Sequence, residues 1–185
     1  MEKIQILEDN VRNRYMSVVW SHKIQEKQAD IYAKRFSQLE TIKILAASLT
    51  SIGIVALIFK DAMWLRILSA LISFCSVFIS AYFKSFNLQE MVGLHKNAAN
   101  KLIPLRDKFQ MLLMKIKCQD GGYDELCAQF QKLMDDLDTL YTEVPSTTDA
   151  AVEQARIALK ITKDNNFSTA EIDSCLPDSL RRGTK

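Results

Sequence analysis

ILAASLTSIGIVALIF, residues 44–59, and ILSALISFCSVFISAYF, residues 67–83, are the two stretches that decide the fold. Neither carries a charged side chain, and only Lys60-Asp61-Ala62-Met63-Trp64-Leu65-Arg66 separates them. The hydrocarbon core of a bilayer offers no partner to backbone polar groups, so a spanning chain is helical or a closed barrel. Two such runs so close together read as a transmembrane helical hairpin. Each is about 16–17 residues long, at the short edge of the roughly 17–25 that cross lipid. If Lys43 and Arg66 snorkel to the interface, the spans extend to about 42–59 and 64–83. Trp64 and Tyr82 then sit where interfacial aromatics belong. Ile44, Leu45, Leu49, Ile52, Ile54, Val55, Leu57, Ile58 and Phe59 favour insertion of the first run by roughly 3–5 kcal/mol. The competing reading is a helical pair inside a water-soluble core. Such helices normally keep a polar stripe, and neither run carries a charged side chain.

Outward from the hairpin the chain becomes polar. It has 185 residues, 25% of them charged, and a mean hydropathy of −0.04, the average of two unlike parts. Segments 1–40 and 85–176 flank the hairpin at 41–84, and 177–185 reads as a flexible tail. Met1-Glu2-Lys3-Ile4 does not open a secretory signal peptide. A net charge of +2 is too small to imply direct nucleic-acid binding. Lys27, Lys34, Arg35 and Lys43 precede the first span, Lys84, Lys96 and Lys101 follow the second, and the turn holds only Lys60 and Arg66. The positive-inside rule therefore places both termini in the cytoplasm, with a very short external turn. Cys75, Cys118, Cys127 and Cys175 form no CxxC, and His22 and His95 are the only histidines. That set is too sparse for a zinc site and reads as reduced cytoplasmic thiols.

Residues 3–40 lack Gly and Pro and read as one long helix that can run into the first span without a break. Ile4, Leu7, Val11 and Val18 begin its apolar stripe, continued less regularly by Ile24, Ile31 and Leu39. After the second span, Met91, His95, Ala98, Leu102, Leu105, Phe109, Leu112 and Ile116 alternate four and three apart, a heptad seam interrupted by Pro104. Gly121-Gly122 breaks that helix. Tyr123, Leu126, Phe130, Leu133, Leu137 and Leu140 form a second stripe, so the two helices make an antiparallel hairpin. Ser146-Thr147-Thr148-Asp149 caps a further helix to about Lys163, and Ser168-Thr169-Ala170-Glu171 has capping-box spacing. No β pattern occurs. The chain reads as all-α: a membrane protein with a two-helix hairpin and long cytoplasmic helices in a bundle or coiled-coil-like arrangement.

Within the spans, Ser69, Ser73, Ser76 and Ser80 fall within roughly 60° on the second helix, and Thr41, Ser48 and Ser51 within about 80° on the first. Small hydroxyl residues allow close helix packing in lipid. The same row could instead line a water-filled passage, which needs several copies because one hairpin encloses nothing. Both readings stand at this point. Met91, His95, Leu102, Leu105, Phe109, Leu112, Leu126, Phe130, Leu133 and Leu137 are candidate oligomer-seam positions. His95 is a seam contact first and a pH sensor second. Asp135, Asp136 and Asp138 read as a solvated face. Lys101, Arg106, Lys108, Lys115 and Lys117 make the post-membrane helix basic, for which anionic lipid is the first explanation and a nucleotide ligand the alternative. The sequence holds no GxSxG, Walker A, HExxH or glycine-rich phosphate loop, so no enzyme, cofactor or metal is expected.

An N-terminal helix, a tight two-span hairpin and a long helical tail resemble the SLATT family of two-transmembrane effectors of bacterial conflict systems. The likeness rests on residues 38–43 entering the first span, 60–66 turning, and 84–87 leaving the second. The long helix that follows and Leu140-Tyr141-Thr142-Glu143-Val144-Pro145 also fit, so that it covers about residues 10–165. The resemblance implies a homo-oligomeric effector in the bacterial inner membrane. It would form or gate a pore that kills or arrests the cell in anti-phage defence. It also implies an upstream trigger: a nucleotide-signalling enzyme, a nucleotide sensor or, in some subfamilies, a reverse transcriptase. The alternative is a non-conducting membrane anchor or scaffold presenting a helical interaction domain. A holin-like lysis protein fits less well, because it would need less cytoplasmic mass.

Overall fold

The computed structural model describes residues 2–59, 63–164, 167–177 and 181–182, and within them all side chains except those of 53–59, 65 and 83–86. The apex of the expected turn at 60–62 and most of the expected tail lie outside the described residues. Every regular element described is helical. Helix α1 (Glu2–Phe59) runs unbroken for 58 residues, about 87 Å at 1.5 Å per residue, so no joint separates the polar N-terminal segment from the first apolar run. Helix α2 (Met63–Phe86) packs along the distal half of α1. At Asn87 the backbone is left-handed (φ 34°, ψ 54°), a conformation that asparagine tolerates better than most residues. Its Oδ1 accepts from the Glu90 N–H (3.4 Å) and caps α3 (Leu88–Cys118), which runs through Pro104 without ending.

Helix α3 returns antiparallel to the proximal half of α1, as the pairs Glu8–Lys117 and Gln25–His95 at its two ends show. It ends two residues before the glycine pair. Gln119 turns left-handed (φ 56°) and the Asp120 N–H reaches back to the Lys115 carbonyl (2.9 Å). Gly121 follows at φ 109°, where a Cβ would be strained. Helix α4 (Tyr123–Glu143) completes the expected antiparallel hairpin. Helix α5 (Asp149–Arg156) continues as a π-helical turn (Ile157–Ile161), folding back over α1 so that Lys160 Nζ lies 5.6 Å from the Trp20 ring centroid. The short α6 (Thr169–Cys175) opens with the expected capping box, in which Ser168 and Glu171 bond reciprocally.

Three helices thus bury one core. Leu7, Val11 and Val18 of α1 meet Leu102, Leu105, Phe109, Leu112 and Ile116 of α3 and Leu126, Leu133, Leu137 and Leu140 of α4. Phe109 is fully enclosed, edge-on to Phe130 with ring centroids 6.4 Å apart. The two heptad stripes read as oligomer seams are therefore occupied inside a single chain. His95, Leu102, Leu105, Phe109, Leu112, Leu126, Leu133 and Leu137 are buried there, Phe130 packs against them, and Met91 is half-buried. A stripe at heptad spacing records that a helix face is covered; what covers it is decided by the loops, here short enough to fold α3 and α4 onto α1.

Candidate functional site

The distal half of α1 and α2 form one region of interest. Their mutual face is narrow. On α2 the half-covered positions are Ser69, Ile72, Ser76, Ile79 and Tyr82, and on α1 they are Lys43, Ala46 and Thr50. Small residues at this contact let the two backbones approach closely. The serine row divides accordingly: Ser69 and Ser76 face α1, with Ser76 Oγ buried and without a partner, whereas Ser73, Ser80, Ser48 and Ser51 are exposed. Ser48, Ser51 and Ser80 each donate to the carbonyl one turn back (Ile44, Ala47 and Ser76, 2.9–3.0 Å). Those three hydroxyls thus spend their donors on their own helix.

Around this contact, beside the exposed serines, the surface is made mostly of large apolar side chains. Ile44, Leu45, Leu49 and Ile52 of α1 and Ile67, Leu68, Leu71, Phe74, Val77 and Phe78 of α2 are all exposed, Phe74 by 70%. Water-facing patches on soluble monomers rarely exceed a few hundred Å². Among the described side chains no helix is long and apolar enough to cross a membrane. The side chains of 53–59, in the first apolar run, and of Phe83, at the end of the second, lie outside that description.

A second region was not legible in the sequence. The heptad phase of α1 continues past Val18 through His22, Gln25 and Ala29, so polar side chains occupy seam positions and are buried with Lys23 and Gln28. Apolar pattern-reading had followed Ile24 and Ile31 instead; extending the phase set by Leu7, Val11 and Val18 is the signal that would have found them. Gln25 joins three elements. Its Nε2 donates to the Pro145 carbonyl (3.0 Å), and its Oε1 meets His95 Nδ1 of α3 (2.5 Å). Because Oε1 can only accept, Nδ1 carries the proton and His95 Nε2 is left as an unpartnered acceptor. Tyr32 stacks on the imidazole, ring centroids 5.4 Å apart. One turn on, Gln28 Oε1 accepts from both the N–H and Oγ1 of Thr148 (2.8 Å each), tying the start of α5 to α1.

Both histidines of this layer are held below the ordinary imidazole pKa. For His95 the cause is burial. For His22 burial also leads, Glu26 opposes it, and Arg106 and Lys23 reinforce it. Lys23 Nζ closes on Glu26 at 2.8 Å. Four of the basic residues of α3 have partners within the bundle: Lys101 with Glu143 (2.6 Å), Lys108 with Asp136 (3.5 Å), Lys117 with Glu8 (3.7 Å) and Lys115 with Gln129 (3.2 Å). Asp135 and Asp138 are exposed as expected, and among the described residues no cluster of His, Cys, Asp or Glu could hold a metal ion.

No curated protein and no solved structure matches this chain. A protein family does. Residues 7–171 match the family described as SMODS and SLOG-associating 2TM effector domain family 4. The match spans the buried polar layer, both apolar runs and the α3–α4 hairpin, and the chain belongs to this SLATT family of two-transmembrane effector domains.

Proposed function

We propose that the chain is a membrane effector whose two apolar runs cross the bacterial inner membrane, with both termini in the cytoplasm. Several copies assemble to form or gate a pore, and an upstream signal shifts the assembly from closed to open, killing the cell or arresting its growth. The observation that carries this reading is the exposed apolar surface of the two runs, ten large side chains among their described residues. Leaving that surface in water forfeits about 25 cal/mol for each Å², and lipid removes the cost. Exposed Ser73 and Ser80 on α2, with Ser48 and Ser51 on α1, provide the polar strips that a lumen between copies requires. Their hydroxyls are neutral, so such a pore selects weakly among ions.

The assembly contact belongs to the hairpin, since the cytoplasmic seams are already filled. The trigger acts on the bundle, where a polar layer joins α1, α3 and the α4–α5 connection, because a signal shifts an equilibrium only through its different affinity for the two states. Dye release from liposomes and single-channel recording test the proposal. Ser73→Leu with Ser80→Leu abolishes leakage while oligomers persist in native mass spectra; Ser76→Leu, at the α1–α2 contact, perturbs assembly instead. Leakage unchanged by the first pair removes the lining role. Absence of conductance at any protein density leaves the chain a membrane anchor or scaffold.

A further inference from the structure

A cleft of about 580 Å³ opens in the bundle between α1, α3 and the segment after the π-helical turn. It lies within the 300–1,000 Å³ usual for small-molecule sites. Two aromatic rings, Tyr15 and Phe167, and two cations, Arg106 and Lys163, line it with Gln110, and no carboxylate is among the described residues of its wall. Of the five basic residues of α3 singled out above, Arg106 is the one that faces this cleft. Its contact with Asp107 uses Nε–H and one Nη2–H (2.9 Å each). Three of the five guanidinium N–H donors remain available. Lys163 forms no ion pair among the described residues and is held by a left-handed backbone (φ 53°) directly after the π-helical turn. Phe167 is 70% exposed, an aromatic face that the chain itself does not cover.

We infer that this cleft binds a small phosphorylated molecule with an aromatic ring, of the nucleotide class, its ring on Phe167 and Tyr15 and its phosphates on Arg106 and Lys163. Cations alone would take any anion, and rings alone any flat apolar molecule. Their juxtaposition around one volume selects a ligand with both. A lipid headgroup is not the source of the phosphate. Arg106 lies 19 residues beyond the break at Asn87, about 28 Å along α3 from the membrane end of the bundle. The cleft also adjoins the polar layer, since Arg106 acts electrostatically on His22. A bound phosphate therefore has a route to that layer through Arg106.

The assignment stands apart from the pore reading, because binding is measured without conductance. The full chain in detergent is titrated with fluorescently labelled ADP, then competed with unlabelled ADP, pyrophosphate and adenosine. Base–aromatic stacking tolerates any base, so ADP serves as the probe. ADP saturates a single site and competes at least about tenfold better than either pyrophosphate or adenosine. R106Q and K163Q each weaken ADP by about tenfold or more, the loss of a charge-assisted bond. F167A weakens it several-fold, and K108Q, on the outward pair with Asp136, leaves it unchanged. Lys163 and Phe167 are exposed, so their variants keep the fold if Arg106→Gln does not. No saturation at millimolar ADP, pyrophosphate binding as well as ADP, or indifference to K163Q and F167A each overturns the inference. A chain that binds ADP but never conducts refutes the pore and leaves this site standing.

Discussion

Acidification from pH 7.5 to 5.5 destabilises the helical bundle through its two buried histidines, His95 first among them in enclosure. The ring is 0% exposed, its Nδ1–H is committed to Gln25, and its Nε2 has no partner to receive a second charge. Burial holds its folded pKa below the ordinary value, whereas in the unfolded chain it titrates near 6.5. Above that pH both states hold a neutral ring and the stabilisation is complete. As pH falls through about 6.5 the unfolded chain takes up the proton first, so stability declines until the folded ring protonates as well. The slope is at most about 1.36 kcal/mol per pH unit for each histidine. For a chain of this size that is about 3–5 °C in Tm per pH unit. His22 adds a slope of the same sign, since burial, Arg106 and Lys23 lower its pKa against the opposing Glu26. Thermal unfolding in detergent measures it, followed by Trp20 fluorescence in a Trp64→Phe background. The His95→Gln and His22→Gln variants each lose part of the slope, and the double variant loses most of it. A Tm that stays level or rises between pH 7.5 and 5.5, or a slope that survives both substitutions, refutes the buried-neutral assignment.

Three further outcomes follow from the packing. Phe109→Ala empties the centre of the core and costs about 3–5 kcal/mol; a loss under about 1 kcal/mol in the same melts contradicts its enclosure. Asn87→Ala forfeits both the cap and a tolerated left-handed residue, about 1–2 kcal/mol, whereas Asn87→Gly is nearly neutral. Equal effects of the two show that the break needs neither property. Phe74→Arg places a charge in the middle of the second apolar run, at roughly 3 kcal/mol against insertion, and shifts protein from the membrane fraction to the supernatant. Unchanged membrane partition counts against the hairpin.

The helical class and the places where helices stop were legible because each depends on residues near one another in the chain. Ser168-Thr169-Ala170-Glu171 caps α6 by bonds within four residues. Residues 44–59 and 67–83 stand out by composition alone, since neither run carries a charged side chain. The partner of a stripe is a different matter. Leu102, Leu105 and Phe109 show the same spacing whether they meet a second copy or α1 of their own chain, and only folding chose the latter. His22, Gln25 and Gln28 are polar, so nothing local marks them as interior. They are buried because α1 is one unbroken helix whose phase carries them beneath α3 and the Val144-Pro145 corner. The cleft of Arg106, Lys163, Tyr15 and Phe167 gathers residues as many as 152 positions apart in sequence (15 to 167). Periodicity records which face of a helix is covered, and distance in sequence hides which faces meet.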